Sequence, residues 1–175
     1  MIAWGMFDKA FEDFLTAVLA HTGNAYKGWQ FFSFEQRRGI FETELPLCFA
    51  EAPTIMALLK DLIADSYPLQ IKRNVLVHGT ITLQINPERP LLIATGKYKK
   101  QEITETFTSD QIDDLYYAII HLAGRMAQFV RPDAVGFVPP LPSTEISLLQ
   151  AVLSKNPTPQ SKLSMISARP RPSPE

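Results

Sequence analysis

Four stretches of apolar residues spaced three and four apart, interrupted once by strict alternation, constrain this chain more than any other feature. The clearest is Ile112, Leu115, Ile119, Leu122, Met126 and Phe129, the stripe of an amphipathic helix. Thr108 and Gln111 stand at capping-box spacing ahead of it, and Pro132 ends it. Near the start, Phe7, Ala10, Phe11, Phe14, Leu15, Val18 and Leu19 form a second stripe, with Asp8, Lys9, Glu12 and Asp13 opposite and Gly23-Asn24 as the stop. Ser33 and Gln36 make another capping box, which predicts a helix through about Glu44 that ends before Pro46. A further helix begins near Pro53, a favoured first-turn position for proline, and carries Ile55, Met56, Leu58, Leu59, Leu62 and Ile63. Tyr67-Pro68 predicts a kink or short break, because proline removes a backbone donor and disfavours helix at the residue before it. The helix resumes from Leu69 to His78, with Gly79 as a left-handed exit.

The period then changes. Ile81 to Ile85 alternates apolar and polar, Asn86 to Pro90 reads as a turn, and Leu91 to Thr95 reads as a returning strand. Glu102 to Phe107 is a third extended piece. The expected fold is mainly α: an up-and-down helical bundle with a small β-hairpin inserted before the last long helix. Residues 1–131 would form that helical domain. Residues 132–155 would form a Pro-rich linker, extended over Val138 to Pro142, and a short helix from Ser143 to about Ser154. Residues 156–175 contain five prolines with scattered serines, which predicts a tail without fixed structure.

Composition narrows the function classes. The 175 residues suit one domain with a proper core. A net charge of -1 gives no bulk attraction to nucleic acid, so any RNA contact must come from a few placed cations. The single cysteine, Cys48, lies among apolar neighbours, which fits an inert buried thiol and a reducing compartment. The first residues lack a signal-peptide pattern, and no apolar run approaches the ~18 residues of a membrane span. A cytoplasmic protein is expected. A Gly-rich phosphate loop, a G-x-S-x-G elbow and zinc spacing are all missing, and His21 and His121 share no ligand spacing with His78. No metal or cofactor is therefore expected, and His121 reads as a partly buried structural residue.

One string carries chemistry. Arg73-Asn74-Val75-Leu76-Val77-His78-Gly79 puts a fixed cation, an amide and a side chain that titrates near neutral pH within one segment. The guanidinium can fork onto phosphate oxygens, and the imidazole can give or take a proton. Asn74 and His78 are four apart, neighbours on a helix face, so Asn74 could orient the imidazole. Arg73 is five residues from His78, roughly 140° round a regular helix. Two remedies exist: the long Arg73 side chain swings round at the helix end, or a second copy supplies the complementary group. By spacing alone, Arg73 is an exposed cation and His78 a C-terminal capping imidazole.

The string resembles the R-N/D-x-x-x-H signature of HEPN domains (higher eukaryotes and prokaryotes nucleotide-binding). From about Thr54 to Val130 the layout is similar too: a helix ending in the motif, an extended excursion, then a long helix opened by Thr-Ser-Asp. The resemblance implies a helical bundle that forms a homodimer. It also implies metal-independent cleavage of RNA by attack of the ribose 2′-hydroxyl on the adjacent phosphate. His78 would then be the general acid or base, Arg73 the phosphate ligand, and Asn74 a residue that orients His78 or the substrate. Such a ribonuclease could serve as a toxin or a defence or stress effector, with an antitoxin or regulatory protein as partner. The alternative is a non-catalytic module of the same shape that dimerises or binds a partner or nucleotide. A third reading is an interaction protein that docks through Pro139-Pro140-Leu141-Pro142.

Overall fold

The computed structural model describes residues 2–85, 90–131 and 143–154. Its helices are α1 (Ile2–Thr22), α2 (Phe34–Cys48), α3 (Pro53–His78), α4 (Ser109–Val130) and α5 (Ser143–Leu153). Between α3 and α4 lie strands β1 (Thr80–Gln84), β2 (Leu91–Tyr98) and β3 (Gln101–Phe107), in an antiparallel sheet of that order. The fold is mainly α, and the inserted unit is a three-stranded meander in which Gln101–Phe107 completes the hairpin. The expected turn over Asn86 to Pro90 falls almost wholly outside the described residues, as do the extended Val138 to Pro142 and the tail from Asn156.

The α1 stripe is the centre of the core. Phe7, Phe11, Phe14, Leu15 and Val18 are wholly buried, as the spacing predicts. Phe34 and Phe41 of α2 and Phe129 of α4 pack on them, with ring centroids 5.1 to 5.9 Å apart in tilted or edge-on pairs. Helix α1 packs against both α2 and α4, and α3 lies along α4 and β2. Leu149 of α5 is buried in the same cluster. Both capping boxes form, Ser33 with Gln36 and Thr108 with Gln111. Gly23 ends α1 in the left-handed conformation (φ 73), donating its N–H to Leu19 at 2.9 Å.

Three local expectations are corrected. Helix α2 runs through Pro46 to Cys48, and α3 runs unbroken through Pro68. In each case the proline and the residue four before it, Glu42 or Ala64, are exposed, so water can satisfy the freed carbonyl. Buried residues flank each proline and anchor the helix on both sides of it: Leu45 and Cys48 around the first, Ile63, Ser66 and Gln70 around the second. Gly79 leaves α3 with φ -81 and ψ 170, extended rather than left-handed. Its glycine requirement comes from crowding instead. A Cβ there would sit 2.3 Å from the Val75 carbonyl oxygen and 2.6 Å from that of Thr95.

The polar residues opposite the α1 stripe are not all solvated. Arg37 of α2 is buried and donates to Asp8 at 2.6 Å, with Glu12 at 3.9 Å. Glu44 is buried as well, accepting from the Tyr26 hydroxyl at 2.6 Å and from the Asn24 amide at 2.9 Å. Burial acts to raise the Glu44 carboxyl, but hydrogen bonds from Tyr26, Asn24 and Thr22 outweigh it and hold the group below its ordinary value. No helix among the described residues is long and apolar enough to cross a membrane.

Candidate active site at the end of the motif helix

The last turn of α3 meets the sheet because Gly79 brings its backbone against Thr95 of β2. The next position on β2 is Gly96, which packs on Val75 with room to spare: a Cβ there would lie 3.5 Å from the Val75 Cα, an ordinary contact. Val75 itself is buried. Along this close seam lies an open cleft of about 520 Å³. Asn74, Val75, His78, Gly79 and Thr80 line it from the helix end and the start of β1, and Thr95, Gly96, Lys97 and Glu102 line it from β2 and β3.

Within that helix end the three motif side chains converge. Arg73 Nη1 donates to Asn74 Oδ1 at 2.8 Å and lies 3.5 Å from His78 Nε2. The second contact is at the outer limit of a hydrogen bond, and His78 accepts it only while Nε2 carries no proton. The Arg73 side chain therefore swings round toward the C-terminal end of the helix. The angular gap between Arg73 and His78 is closed inside one protomer, so a second copy is not needed to join them. Asn74 accepts from Arg73, and among the described residues no hydrogen bond joins it to His78. The Arg73 Nε is buried without a hydrogen-bond partner among the described residues. His78 is exposed, and Arg73 and Asn74 are half-buried.

This arrangement suits a phosphodiester. The guanidinium is fixed by an amide acceptor, which lowers the ordering cost of a forked contact with phosphate oxygens. The imidazole stands at the solvent side, open to a substrate hydroxyl. Lys97 and Glu102 are the cleft residues that the motif did not announce. They face each other across β2 and β3 in the antiparallel register. The signal for them would have been that register, which no local pattern in the chain specifies.

The other histidines stand apart from the cleft. His121 is exposed, in contrast to the partial burial expected of it, because it lies one step round α4 from the buried Leu122 and Ala123. His21 has its Nδ1 buried without a hydrogen-bond partner among the described residues. Among the described residues, no group of three or more His, Cys, Asp or Glu side chains could hold a metal ion. No family model, characterised protein or solved structure matches this chain.

Proposed function

We propose that the protein is a metal-independent endoribonuclease of the HEPN type. The observation that carries this reading is the convergence of Arg73, Asn74 and His78 at the end of one helix, where Asn74 and His78 line an open cleft. In the reaction, the ribose 2′-oxygen bonds to the adjacent phosphorus and the P–O5′ bond breaks. The products are a 2′,3′-cyclic phosphate and a 5′-hydroxyl. His78 takes the 2′-hydroxyl proton or supplies the proton that O5′ gains, and water completes the other transfer. Arg73 neutralises the charge that builds on the non-bridging oxygens, and Asn74 holds its guanidinium in place.

As an RNA-cutting toxin or defence effector in the cytoplasm, such a protein would be paired with an antitoxin or regulatory partner. It would act as a homodimer, as the resemblance implies. The test is RNA cleavage by purified wild type against His78→Ala and Arg73→Ala. Each substitution is expected to lower cleavage at least a hundredfold, the usual scale for a proton-transfer group. Both variants should keep the wild-type melting temperature within the surface range, because little apolar area is lost. Arg73→Lys should be damaged as well, since an ammonium cannot make the forked contact. Full cleavage by His78→Ala would overturn the reading.

One observation favours the non-catalytic module. Edge strand β1 is exposed throughout, with Ile81 and Leu83 50% and 59% accessible and Ile85 just beyond at 80%. An uncharged apolar edge of this kind is a template for pairing with another chain. Sedimentation across micromolar concentrations separates the cases. A dimer that binds RNA but never cuts it would favour this second reading.

A further inference from the structure

We propose that Lys97 forms a second phosphate site in the cleft, which holds the RNA backbone one step away from the phosphate at Arg73 and His78. The inference rests on the ribonuclease reading for its ligand, a single-stranded polyribonucleotide, but concerns binding rather than cleavage.

Register supplies the placement. Strand β1 begins with Thr80 opposite Thr95 in an antiparallel pair. His78 ends α3 two residues before that pair, and Lys97 lies two residues beyond it on β2. The close approach of Gly79 to Thr95 and Gly96 shows that the two chains stay together over this stretch. Lys97 lines the same cleft as His78.

Charge supplies the reason. Arg73 already spends Nη1 on Asn74 and His78, and its Nε is buried, so only part of its donor set can reach a ligand. The chain as a whole carries a net charge of -1 and draws no polyanion by its bulk field. Lys97 is exposed and, among the described residues, has no ion-pair partner. Its cross-strand neighbour Glu102 is the nearest acidic candidate by register, yet no ion pair joins the two. An unpaired ammonium in the cleft that His78 and Asn74 line is open to the same polyanionic ligand.

Anchoring supplies the preorganisation. The β2–β3 turn consists of Lys99 and Lys100, both left-handed (φ 48 and 70), a conformation that usually takes Asn or Gly. Lys99 offsets that strain by an ion pair of 2.7 Å to Glu35 of α2 and by lying 5.6 Å over the Tyr98 ring. Tyr98 meets Tyr67 of α3 edge-on, with centroids 6.0 Å apart. The hairpin that bears Lys97 is therefore pinned to both α2 and α3 instead of swinging free.

The experiment measures binding of an uncleavable oligonucleotide, a 2′-O-methyl polyribonucleotide, by fluorescence anisotropy at several salt concentrations. Lys97→Ala should weaken binding roughly fivefold and lower the slope of log K against log salt by about 0.7, the share of one phosphate on a single strand. Lys97→Arg should restore both, and Glu102→Gln should tighten binding by removing a like charge from the ligand. Lys27→Ala, on the loop after α1 and outside the cleft, is the control and should change neither. Binding and salt slope unchanged in Lys97→Ala would overturn the proposal, as would wild type that fails to bind the oligonucleotide. The two readings fail separately. A protein that never cuts RNA but loses the salt slope in Lys97→Ala keeps the phosphate site and loses the nuclease.

Discussion

Gly79→Ala should be the most damaging single methyl addition at any glycine of the described structure. The added Cβ would meet the carbonyl oxygens of Val75 at 2.3 Å and Thr95 at 2.6 Å, against roughly 3.3 Å for an ordinary carbon–oxygen contact. Neither atom can step aside cheaply. The Val75 carbonyl accepts the Gly79 N–H at 2.9 Å, and Thr95 is paired with Thr80 in the sheet. Relief means prising the end of α3 away from β2, at a cost of about 3 kcal/mol, the upper end for overpacking. For a chain of this size that lowers the melting temperature by about 6 to 12 °C. Two other glycines calibrate the argument. Gly96→Ala meets nothing closer than the Val75 Cα at 3.5 Å and should be nearly neutral. Gly39→Ala, exposed within α2 with nothing inside 4 Å, should stabilise by about 0.5 to 1 kcal/mol through lower unfolded-state entropy. Urea and thermal unfolding of the three variants tests the set. Gly79→Ala within 0.5 kcal/mol of wild type would show that the seam between helix and strand is not as close as described, and the cleft built on it would go too.

Two polar contacts give further expectations. The Glu44 carboxyl is held below its ordinary value, so its contribution is present above the unfolded pKa of about 4.3 and is lost as pH falls through the lower folded value. Wild type should therefore lose stability more steeply below about pH 4.5 than Glu44→Gln, which should cost about 1 to 2 kcal/mol at neutral pH. Parallel acid limbs in urea titrations of the two proteins would contradict this. Arg37→Ala removes a buried guanidinium from Asp8 and Glu12. Because those carboxylates are 33% and 35% exposed, the cost should be about 2 kcal/mol rather than the full penalty of a buried broken pair. A double-mutant cycle with Asp8→Ala checks it, and a coupling near zero would show that α1 and α2 are held by packing alone.

The fold was largely legible because its signals are local and repeated. The stripe from Phe7 to Leu19 and the capping boxes at Ser33 and Thr108 specify their helices with few competing readings, and alternation from Ile81 to Ile85 marks the change to strand. Pro46 and Pro68 misled because a proline's cost depends on whether the carbonyl four residues back can reach water, which is a property of the folded surface. Gly79 was rightly singled out, but for a positive φ where the structure needs close backbone approach. At the site, residue types were readable and their geometry was not. The rotamer that brings Arg73 round to His78, and the strand pairing that brings Lys97 into the cleft, both arise from tertiary packing. The Asp8–Arg37 pair hides for the same reason: its partners lie 29 residues apart.

The central claim, that Arg73, Asn74 and His78 form a metal-independent catalytic set, is tested most directly by the ends of cleaved RNA. Purified protein should be incubated in EDTA with a synthetic single-stranded RNA, and the products resolved by mass spectrometry. The same reaction should be run with a 2′-deoxy residue at the cut position and with His78→Ala. The account predicts 2′,3′-cyclic phosphate and 5′-hydroxyl ends with wild type, and intact RNA with both the 2′-deoxy substrate and the variant. Cleavage that needs added magnesium, that leaves 5′-phosphate ends, or that survives in His78→Ala would contradict it.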